Sequence, residues 1–304
     1  MKLGFGAAVW LRDNHLQDFN RMLDDMALIG YDGIEFYYFA YENYRDRRDI
    51  FRKLLTLHGL ELSGYYAKVS FQSREEHKET LQYVQDVYRF ARDIGSKNAI
   101  LDEGVKDRWH LPPPPADRLG RVREMADTAN ALGLFVKDMG MQLSFHEHWG
   151  SFLQDEELFH RFMEWTDPSL VHFCCDTAQV LLSGWDEVKT VERYADRMSY
   201  VHFKDVTFAG RPKGTLWEGY TVPSDSGGYL VDSAGRMIEL GRGEVRFKEC
   251  MDALRKAGFD GWIVDDHDYS GYSAFDSAKA CKDYINHGLN VWGEKDLSKQ
   301  REDE

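Results

Sequence analysis

Apolar and polar positions along the chain follow two alternating periods, and the alternation repeats about eight times. Apolar runs of strand length, such as 3–9 and 33–36, are each followed by apolar residues at helical spacing, such as those in 16–26. Glycine often ends the helical part, as Gly59 does. Repeated strand–helix units with short links predict a parallel sheet, and eight of them close into a single (β/α)8 TIM barrel of the α/β class.

One glycine-rich segment, residues 208–243, breaks this rhythm after the seventh strand. A long insertion on that face of a barrel usually shapes the pocket, so we expect it to cover the site, with Trp217 contacting substrate. A surface excursion without function is the alternative. We expect one barrel domain over residues 1–294 and a charged, disordered tail over 295–304.

Polar clusters close four of the predicted strands. The apolar run comes first and the cluster last in residues 143–148, 171–176, 198–205 and 262–268. Parallel barrels collect their active-site groups at the carboxyl ends of their strands. Two imidazoles and two carboxylates at equivalent strand ends predict a divalent-metal site, and mixed ligands of this kind suit Mn²⁺, Fe²⁺, Co²⁺ or Zn²⁺ better than Ca²⁺. The predicted ligands are His146, Asp176, His202 and Asp266.

The choice of ligand at the fifth strand stays open among His146, Glu147 and His148. Residues 146 and 148 share one face of an extended strand, and His146 lies nearer the strand itself, so we favour it. His148 would then contact substrate, act in proton transfer or support the site. At the last strand we favour Asp266 over Asp268, which shares its face.

Candidate groups for proton transfer lie beside these ligands. Lys204 follows His202 by two residues, so both side chains point the same way, and a nearby cation would favour the neutral amine. A solvated rim lysine is the alternative, and Asp205 would either orient Lys204 or cap the next segment. Glu35, at the end of the second strand, is a candidate base or hydroxyl acceptor, or else a salt-bridge carboxylate.

Substrate contacts are predicted at further strand ends. Asp102 and Glu103 end the fourth strand, and Trp10 follows the first. Aromatic residues make up 14% of the chain, and aromatic side chains often line pockets for sugars and polyols.

Charge and cysteine content limit the classes of partner. The net charge is -14, with 52 acidic against 38 basic residues, which argues against nucleic acid and anionic membranes. The 4 cysteines form no CxxC pair, so we expect reduced core thiols. We find no signal-peptide pattern and no apolar run near the roughly 18 residues that span a membrane, so we expect a cytoplasmic protein.

Four phrases carry a resemblance to a known family: His146-Glu-His148-Trp-Gly150, Asp176-Thr-Ala-Gln179, Val201-His-Phe-Lys-Asp205 and Gly261-Trp-Ile-Val. The chain resembles the sugar phosphate isomerase/epimerase superfamily of xylose isomerase-like TIM barrels, and within it is most similar to the inosose dehydratase group. The resemblance implies the same four ligands and a Mn²⁺- or Co²⁺-type ion, with Zn²⁺, Fe²⁺ or Mg²⁺ as alternatives.

Three departures from the family pattern concern the substrate and the metal geometry. The His-His-His run of the dehydratases reads His-Glu-His here, and Asp-Thr-Gly-His reads Asp-Thr-Ala-Gln. Gln179 therefore stands where a substrate-contacting His is common, and we keep it as a candidate substrate contact. The last ligand, usually Glu, is Asp266, whose side chain is shorter by one methylene.

The resemblance also implies the reaction. We expect a metal-dependent dehydratase that removes an α-proton from an inosose-like keto-polyol or keto-sugar through a metal-stabilised enediolate. A ketose 3-epimerase or a sugar isomerase would use the same first half-reaction. Three less favoured alternatives stay open: a lyase of 3-keto-glycosides, a non-catalytic sugar-binding barrel and a DNA-repair nuclease. The acidic net charge counts against the nuclease. Barrels of this kind often form homodimers, which we expect here too.

Overall fold

The structure is a computed structural model, and it describes residues 1–10, 16–104, 115–208, 236–267 and 273–291. Strands and helices alternate along these ranges. The strands are β1 (Lys2–Gly6), β2 (Gly33–Phe36), β3 (Glu61–Val69), β4 (Asn98–Glu103), β5 (Gln142–His146), β6 (Val171–Cys174), β7 (Tyr200–Phe203), β8 (Asp205–Thr207), β9 (Arg236–Ile238) and β10 (Trp262–Asp265). The α-helices are α1 (Leu16–Ile29), α2 (Tyr38–Tyr44), α3 (Arg48–Leu57), α4 (Arg74–Ile94), α5 (Arg118–Asp138), α6 (Glu156–Trp165), α7 (Thr177–Leu182), α8 (Glu187–Tyr194), α9 (Phe247–Lys256) and α10 (Ala274–Asp283).

Eight of the strands form one parallel sheet in the order β6-β5-β4-β3-β2-β1-β10-β7. β1 pairs with β2 on one side and with β10 on the other, so the first and last strands of the sheet lie side by side. The sheet's two edges, β6 and β7, meet through a single bridge between Asp176 and His202, where His202 N donates to Cys175 O at 2.9 Å. The predicted TIM barrel is therefore confirmed, with a seam between β6 and β7.

Side-chain caps begin several of the outer helices. Asp155 Oδ1 accepts from Leu158 N at 3.2 Å at the start of α6, and Asp186 Oδ1 accepts from Lys189 N at 3.0 Å at the start of α8. Each cap satisfies a backbone donor that the first turn of a helix leaves without a partner. Such caps fix the residue at which each helix begins.

The core has two layers because neighbouring residues in a strand face opposite sides of the sheet. A large cluster fills the space between the strands and the helices, and a small one, made of Tyr66, Ile100, Cys174, Tyr200 and Val264, fills the barrel interior. Cys174 belongs to the inner cluster and Cys175 to the outer one. All 4 cysteines are buried and free, as expected from the sequence.

The structure differs from the predicted elements in local detail. The first strand ends at Gly6, and Ala7–Val9 form a 3-10 turn instead of continuing it. Helices α2 and α7 and the antiparallel pair β8–β9 were not predicted. Residues 209–235, which include Trp217 and most of the insertion, lie outside the described residues, as does the predicted tail. Among the described helices, none has both the length and the apolarity needed to cross a membrane.

Candidate metal centre

The carboxyl ends of β5, β6, β7 and β10 bring the four predicted ligands together. One ligand atom from each of His146, Asp176, His202 and Asp266 lies within 4.8 Å of the other three, and all four residues are buried. His146 Nε2 lies 3.5 Å from Asp176 Oδ2, and His202 Nδ1 lies 3.3 Å from Asp266 Oδ2. These four side chains surround one centre.

Several atoms that could bind a metal ion at this centre lack a hydrogen-bond partner in the part of the chain that the structure describes. They are His146 Nε2, Asp176 Oδ2 and His202 Nδ1. A buried polar atom without a partner costs about 1–3 kcal/mol, and a bound ion is one way to satisfy it. Two imidazole nitrogens and two carboxylate oxygens fit a divalent transition metal. The residues present therefore fit the ion that the sequence predicts.

Contacts behind the ligands aim their donor atoms at the centre. Asp176 Oδ1 caps α7 by accepting from the backbone N of Ala178 at 3.0 Å and of Gln179 at 2.9 Å, which leaves Oδ2 facing inward. His202 Nε2 lies 3.0 Å from Glu35 Oε2, so the other ring nitrogen, Nδ1, faces the centre. Metal-binding histidines are commonly held by a carboxylate in this way.

Asp266 is fixed by the residue that follows β2 and by the space at the end of β1. Tyr37 Oη donates to Asp266 Oδ1 at 2.9 Å. Gly6, at the end of β1, leaves the space that this carboxylate occupies, since a Cβ there would lie 2.9 Å from Asp266 Oδ1. The remaining oxygen, Oδ2, faces His202 and the centre.

Lys204 brings a positive charge to the same point. Its Nζ lies 2.7 Å from Asp266 Oδ2 and 3.4 Å from Asp176 Oδ2, and the side chain is buried. Thr177 holds its backbone on both sides: Lys204 N donates to Thr177 Oγ1 at 3.1 Å, and Thr177 Oγ1 donates to Lys204 O at 2.7 Å. The lysine therefore sits against two of the candidate ligands at the seam of the barrel.

The charges of these groups shift one another's pKa values. Burial would raise the pKa of Asp266 and of Asp176, but Lys204 and a neighbouring histidine outweigh it and lower both. Burial would lower the pKa of His202, but Cys174, Glu35 and Asp266 raise it well above its ordinary value. These shifts reflect the close packing of carboxylates against Lys204 and His202 at the centre.

At the end of β5, the three candidate ligands have different surroundings. His146 belongs to the cluster. Glu147 is buried, neither of its carboxylate oxygens has a partner among the described residues, and burial followed by repulsion from Asp176 raises its pKa well above the ordinary value. His148 is half-buried, its ring centre is 5.9 Å from that of His146, and its Nδ1 lies 2.5 Å from Trp149 O. The geometry favours His146 as ligand.

Other predicted residues lie around the rim rather than at the centre. Gln179 Oε1 accepts from Trp149 N at 3.2 Å, and Glu103 Oε2 accepts from Phe152 N at 2.8 Å. Both contacts hold the segment that follows β5.

Asp102 and Trp10 take up further positions on the same side of the barrel. Asp102 Oδ2 accepts from the hydroxyl of Tyr66 and lies 3.9 Å from Lys68 Nζ. Trp10 Nε1 donates to Asp25 Oδ2 at 3.0 Å, and its ring packs edge-on against Phe5 with 5.2 Å between centroids.

Two tyrosines of the site were missed by the sequence reasoning. Tyr37 binds Asp266, and Tyr66 packs edge-on against His146 with 5.3 Å between ring centroids. Tyr37 follows Glu35 by two residues at the end of β2, so the rule that selected Lys204 from His202 would have found it.

The family of the chain follows from a comparison with family models. The model of the xylose isomerase-like TIM barrel matches residues 23–282. The chain belongs to this family.

Relatives of this xylose isomerase-like barrel include several inosose dehydratases. The chain is 28% identical over 294 residues to one from Geobacillus kaustophilus, which covers 90% of this chain and 88% of that protein. It is 25% identical over 305 residues to one from Lacticaseibacillus casei, with 96% and 98% covered.

Solved structures share the barrel at lower identity. A crystal structure of the IOLI protein with a bound zinc atom has a TM-score of 0.75 at 15% identity, with 97% of this chain and 100% of that one covered. A structure of L-ribulose 3-epimerase has a TM-score of 0.74 at 15% identity, covering 99% and 97%. At these identities the likeness establishes the fold.

Proposed function

We propose that this chain is a divalent-metal-dependent dehydratase of an inosose-like keto-polyol or keto-sugar. The observation that carries the proposal is the convergence of His146, Asp176, His202 and Asp266 on one buried centre. Inosose dehydratases that match nearly the whole chain support the substrate class and the reaction.

The four ligands would hold the ion, for which we propose Mn²⁺. Mixed imidazole and carboxylate donors suit Mn²⁺ as well as Zn²⁺, Co²⁺ or Fe²⁺. When bound, the ion would supply Lewis-acid polarisation of a carbonyl and its neighbouring hydroxyl.

Lys204 is our candidate for removing the proton from the carbon beside the carbonyl. Its amine lies against Asp176 and Asp266, so it borders the space where a substrate would meet the four ligands. A bound metal ion would repel the positive charge of the Lys204 ammonium group. This repulsion favours the neutral amine that a base needs.

His148 is our candidate for the acid that protonates the departing hydroxyl. The contact between His148 Nδ1 and Trp149 O orients the ring, so Nε2 points away from Trp149 O. The C–H bond breaks with its proton passing to Lys204, and its electron pair forms a C=C bond as the C–O bond breaks. The hydroxyl leaves as water with the proton from His148. Exchange with solvent then restores both groups.

Glu35 is better suited to a positioning role than to proton abstraction. Its Oε2 is engaged by His202 Nε2, and the side chain is fully buried behind the ligand. For substrate contacts we keep Asp102, Glu103, Gln179, Trp10 and Trp217.

A 3-epimerase is the second candidate, because the structural likeness to L-ribulose 3-epimerase extends over nearly the whole chain. It would share the first proton transfer and differ in where the proton returns. Loss of the hydroxyl as water defines the dehydratase, and return of a proton to the opposite face defines the epimerase.

The test is a substrate screen with the metal-loaded chain. Inososes, ketohexoses and 3-keto-glycosides are incubated with Mn²⁺ in D₂O, and products are followed by NMR. We expect water loss from an inosose, and no reaction after chelation or in Asp176→Asn. Deuterium uptake without water loss would favour the epimerase, and a metal-loaded chain that turns over none of these compounds would contradict the proposal.

A further inference from the structure

A second group of potential metal ligands lies on the other side of β10 from the centre described above. Asp265, His267 and Cys281 each offer an atom within 4.8 Å of the others. All three are buried, with exposed fractions of 0%, 2% and 0%.

Strand alternation separates this cluster from the rim. Asp266 points into the barrel, so Asp265 and His267, one residue to either side, point outward to the helices. Cys281 meets them from α10, which packs against that face. The two clusters therefore share the end of β10 but use none of the same ligands.

Two atoms of the cluster have no hydrogen-bond partner within the described ranges. They are Asp265 Oδ1 and His267 Nε2. Both belong to side chains that are almost completely buried, where a polar atom without a partner is costly. An ion between them would satisfy both.

Neighbouring groups hydrogen-bond to two of the three side chains and fix the direction of their donor atoms. Tyr31 Oη donates to Asp265 Oδ2 at 2.9 Å, which leaves Oδ1 facing the cluster. Leu240 N donates to Cys281 Sγ at 3.4 Å, and an N–H donor of this kind stabilises a thiolate.

One further buried carboxylate, Glu239, lies beside the cluster, and its Oε2 is 3.7 Å from Arg242 Nη1. Its Oε1 accepts from Ser277 Oγ at 2.8 Å on the same helix as Cys281. Glu239 therefore ties this end of α10 to the segment that follows β9.

We propose that Asp265, His267 and Cys281 form a second metal site, specific for Zn²⁺ or an ion of similar softness. One nitrogen, one oxygen and one sulfur donor suit Zn²⁺, and solvent would take the fourth position. Binding breaks the S–H bond of Cys281, forms a Zn–S bond and releases the proton to solvent.

The role of this site is structural. It joins the end of β10 to α10, and through Leu240 to the segment that follows β9. Because Asp266 lies between two of its ligands, the zinc would also fix the backbone that carries a ligand of the rim centre. The inference does not rest on the proposed reaction.

Cobalt distinguishes the two sites, because only the second one has a sulfur ligand. The metal-free full chain is titrated with Co²⁺, and the sulfur-to-cobalt charge-transfer absorption in the near ultraviolet is recorded with the metal content. We expect two Co²⁺ per chain and the absorption band in the wild type. Cys281→Ser should lose the band and one ion, whereas Cys250→Ser, a buried cysteine on α9, should keep both.

Further variants keep the test decisive if Cys281→Ser does not fold. His267→Gln retains the thiol but should lose the second ion and the band. Asp176→Asn should lose the rim ion and keep the band, so failure of the rim site and failure of this site give different results. One ion per wild-type chain without the band, or a band that survives Cys281→Ser, would overturn the proposal.

Discussion

At the scale of the residue, Lys204 is the group whose removal should separate chemistry from metal binding. Lys204→Met keeps the length of the side chain and removes the proton acceptor. We expect kcat to fall by about 10²–10⁴-fold, the usual contribution of a general base. Metal content should stay at the wild-type level. Turnover of an inosose and metal analysis of the same sample measure both, with the exposed Lys189→Met as the control.

Glu35 should act through His202 rather than on the substrate. Glu35→Ala removes the partner of His202 Nε2, and loss of such an outer contact typically weakens metal binding about 10–100-fold. Glu35→Gln keeps an oxygen acceptor and should lose less. Metal titration and kcat measure the two effects. If Glu35→Gln abolishes turnover at unchanged metal affinity, Glu35 is the base instead.

The raised pKa of His202 gives the metal-free chain a defined response to pH. A group whose pKa is higher when folded adds stability below its unfolded pKa, about 6.5 for His, and loses it as pH rises through the folded value. A metal ion needs the deprotonated nitrogen and so binds better at higher pH. We expect the rise in Tm on adding Mn²⁺ to be larger at about pH 9 than at about pH 6. A constant rise would contradict it.

Strand position predicted the four side chains that converge on one centre, because side chains two apart at a strand end face the same way. The tyrosines on Asp266 and His146 were missed because a single aromatic residue is more often core than site. The engagement of Glu35 by His202 joins residues on β2 and β7, a distance along the chain that no local pattern reports.

At the scale of the element, Asp205 connects the start of the insertion to the residues at its end. Its buried carboxylate accepts from the backbone N of Val206, Gly241, Gly243 and Val245, at 2.9, 2.9, 2.7 and 3.2 Å. Gly243 permits this approach, since a Cβ there would lie 2.2 Å from Asp205 Oδ1. The sequence left two roles open for Asp205, and the contacts show that it caps this segment.

Removing that carboxylate should destabilise the chain. Asp205→Ala leaves four backbone donors without their acceptor, at about 1–3 kcal/mol for each one that stays buried and unsatisfied, so we expect a loss of at least about 3 kcal/mol. Urea unfolding measures it. Asp49→Ala, on the exposed start of α3, is the control and should change little. An equal midpoint for the two variants would contradict this account.

The elements that the sequence did not predict are the short ones. α7 spans only Thr177–Leu182 and is buried throughout, so it has no polar face to reveal a helical period. The β8–β9 pair joins segments on either side of residues 209–235, and pairing across such a separation leaves no local signal. The long amphipathic helices and the barrel strands could be predicted because each shows its own period.

At the scale of the whole molecule, the candidate metal centre spans the seam of the barrel. Asp176 follows β6 and His202 lies on β7, the two edges that meet through one bridge. An ion held by both edges would clamp them together. Chelation should therefore speed amide exchange in 171–174 and 200–203 more than in β3 and β4, which are paired on both sides. Equal acceleration in all four strands, measured by mass spectrometry, would contradict the clamp.

The pairing of β1 with β10 also sets an order of events during synthesis. Lys2 lies opposite Trp262 in the finished sheet. One edge of β1 therefore lacks its partner strand until almost the whole barrel has left the ribosome. Asp266 emerges after the other three ligands. The nascent chain therefore exposes two histidines and an aspartate before the fourth residue of the centre arrives, and completing that centre becomes one of the last steps in folding.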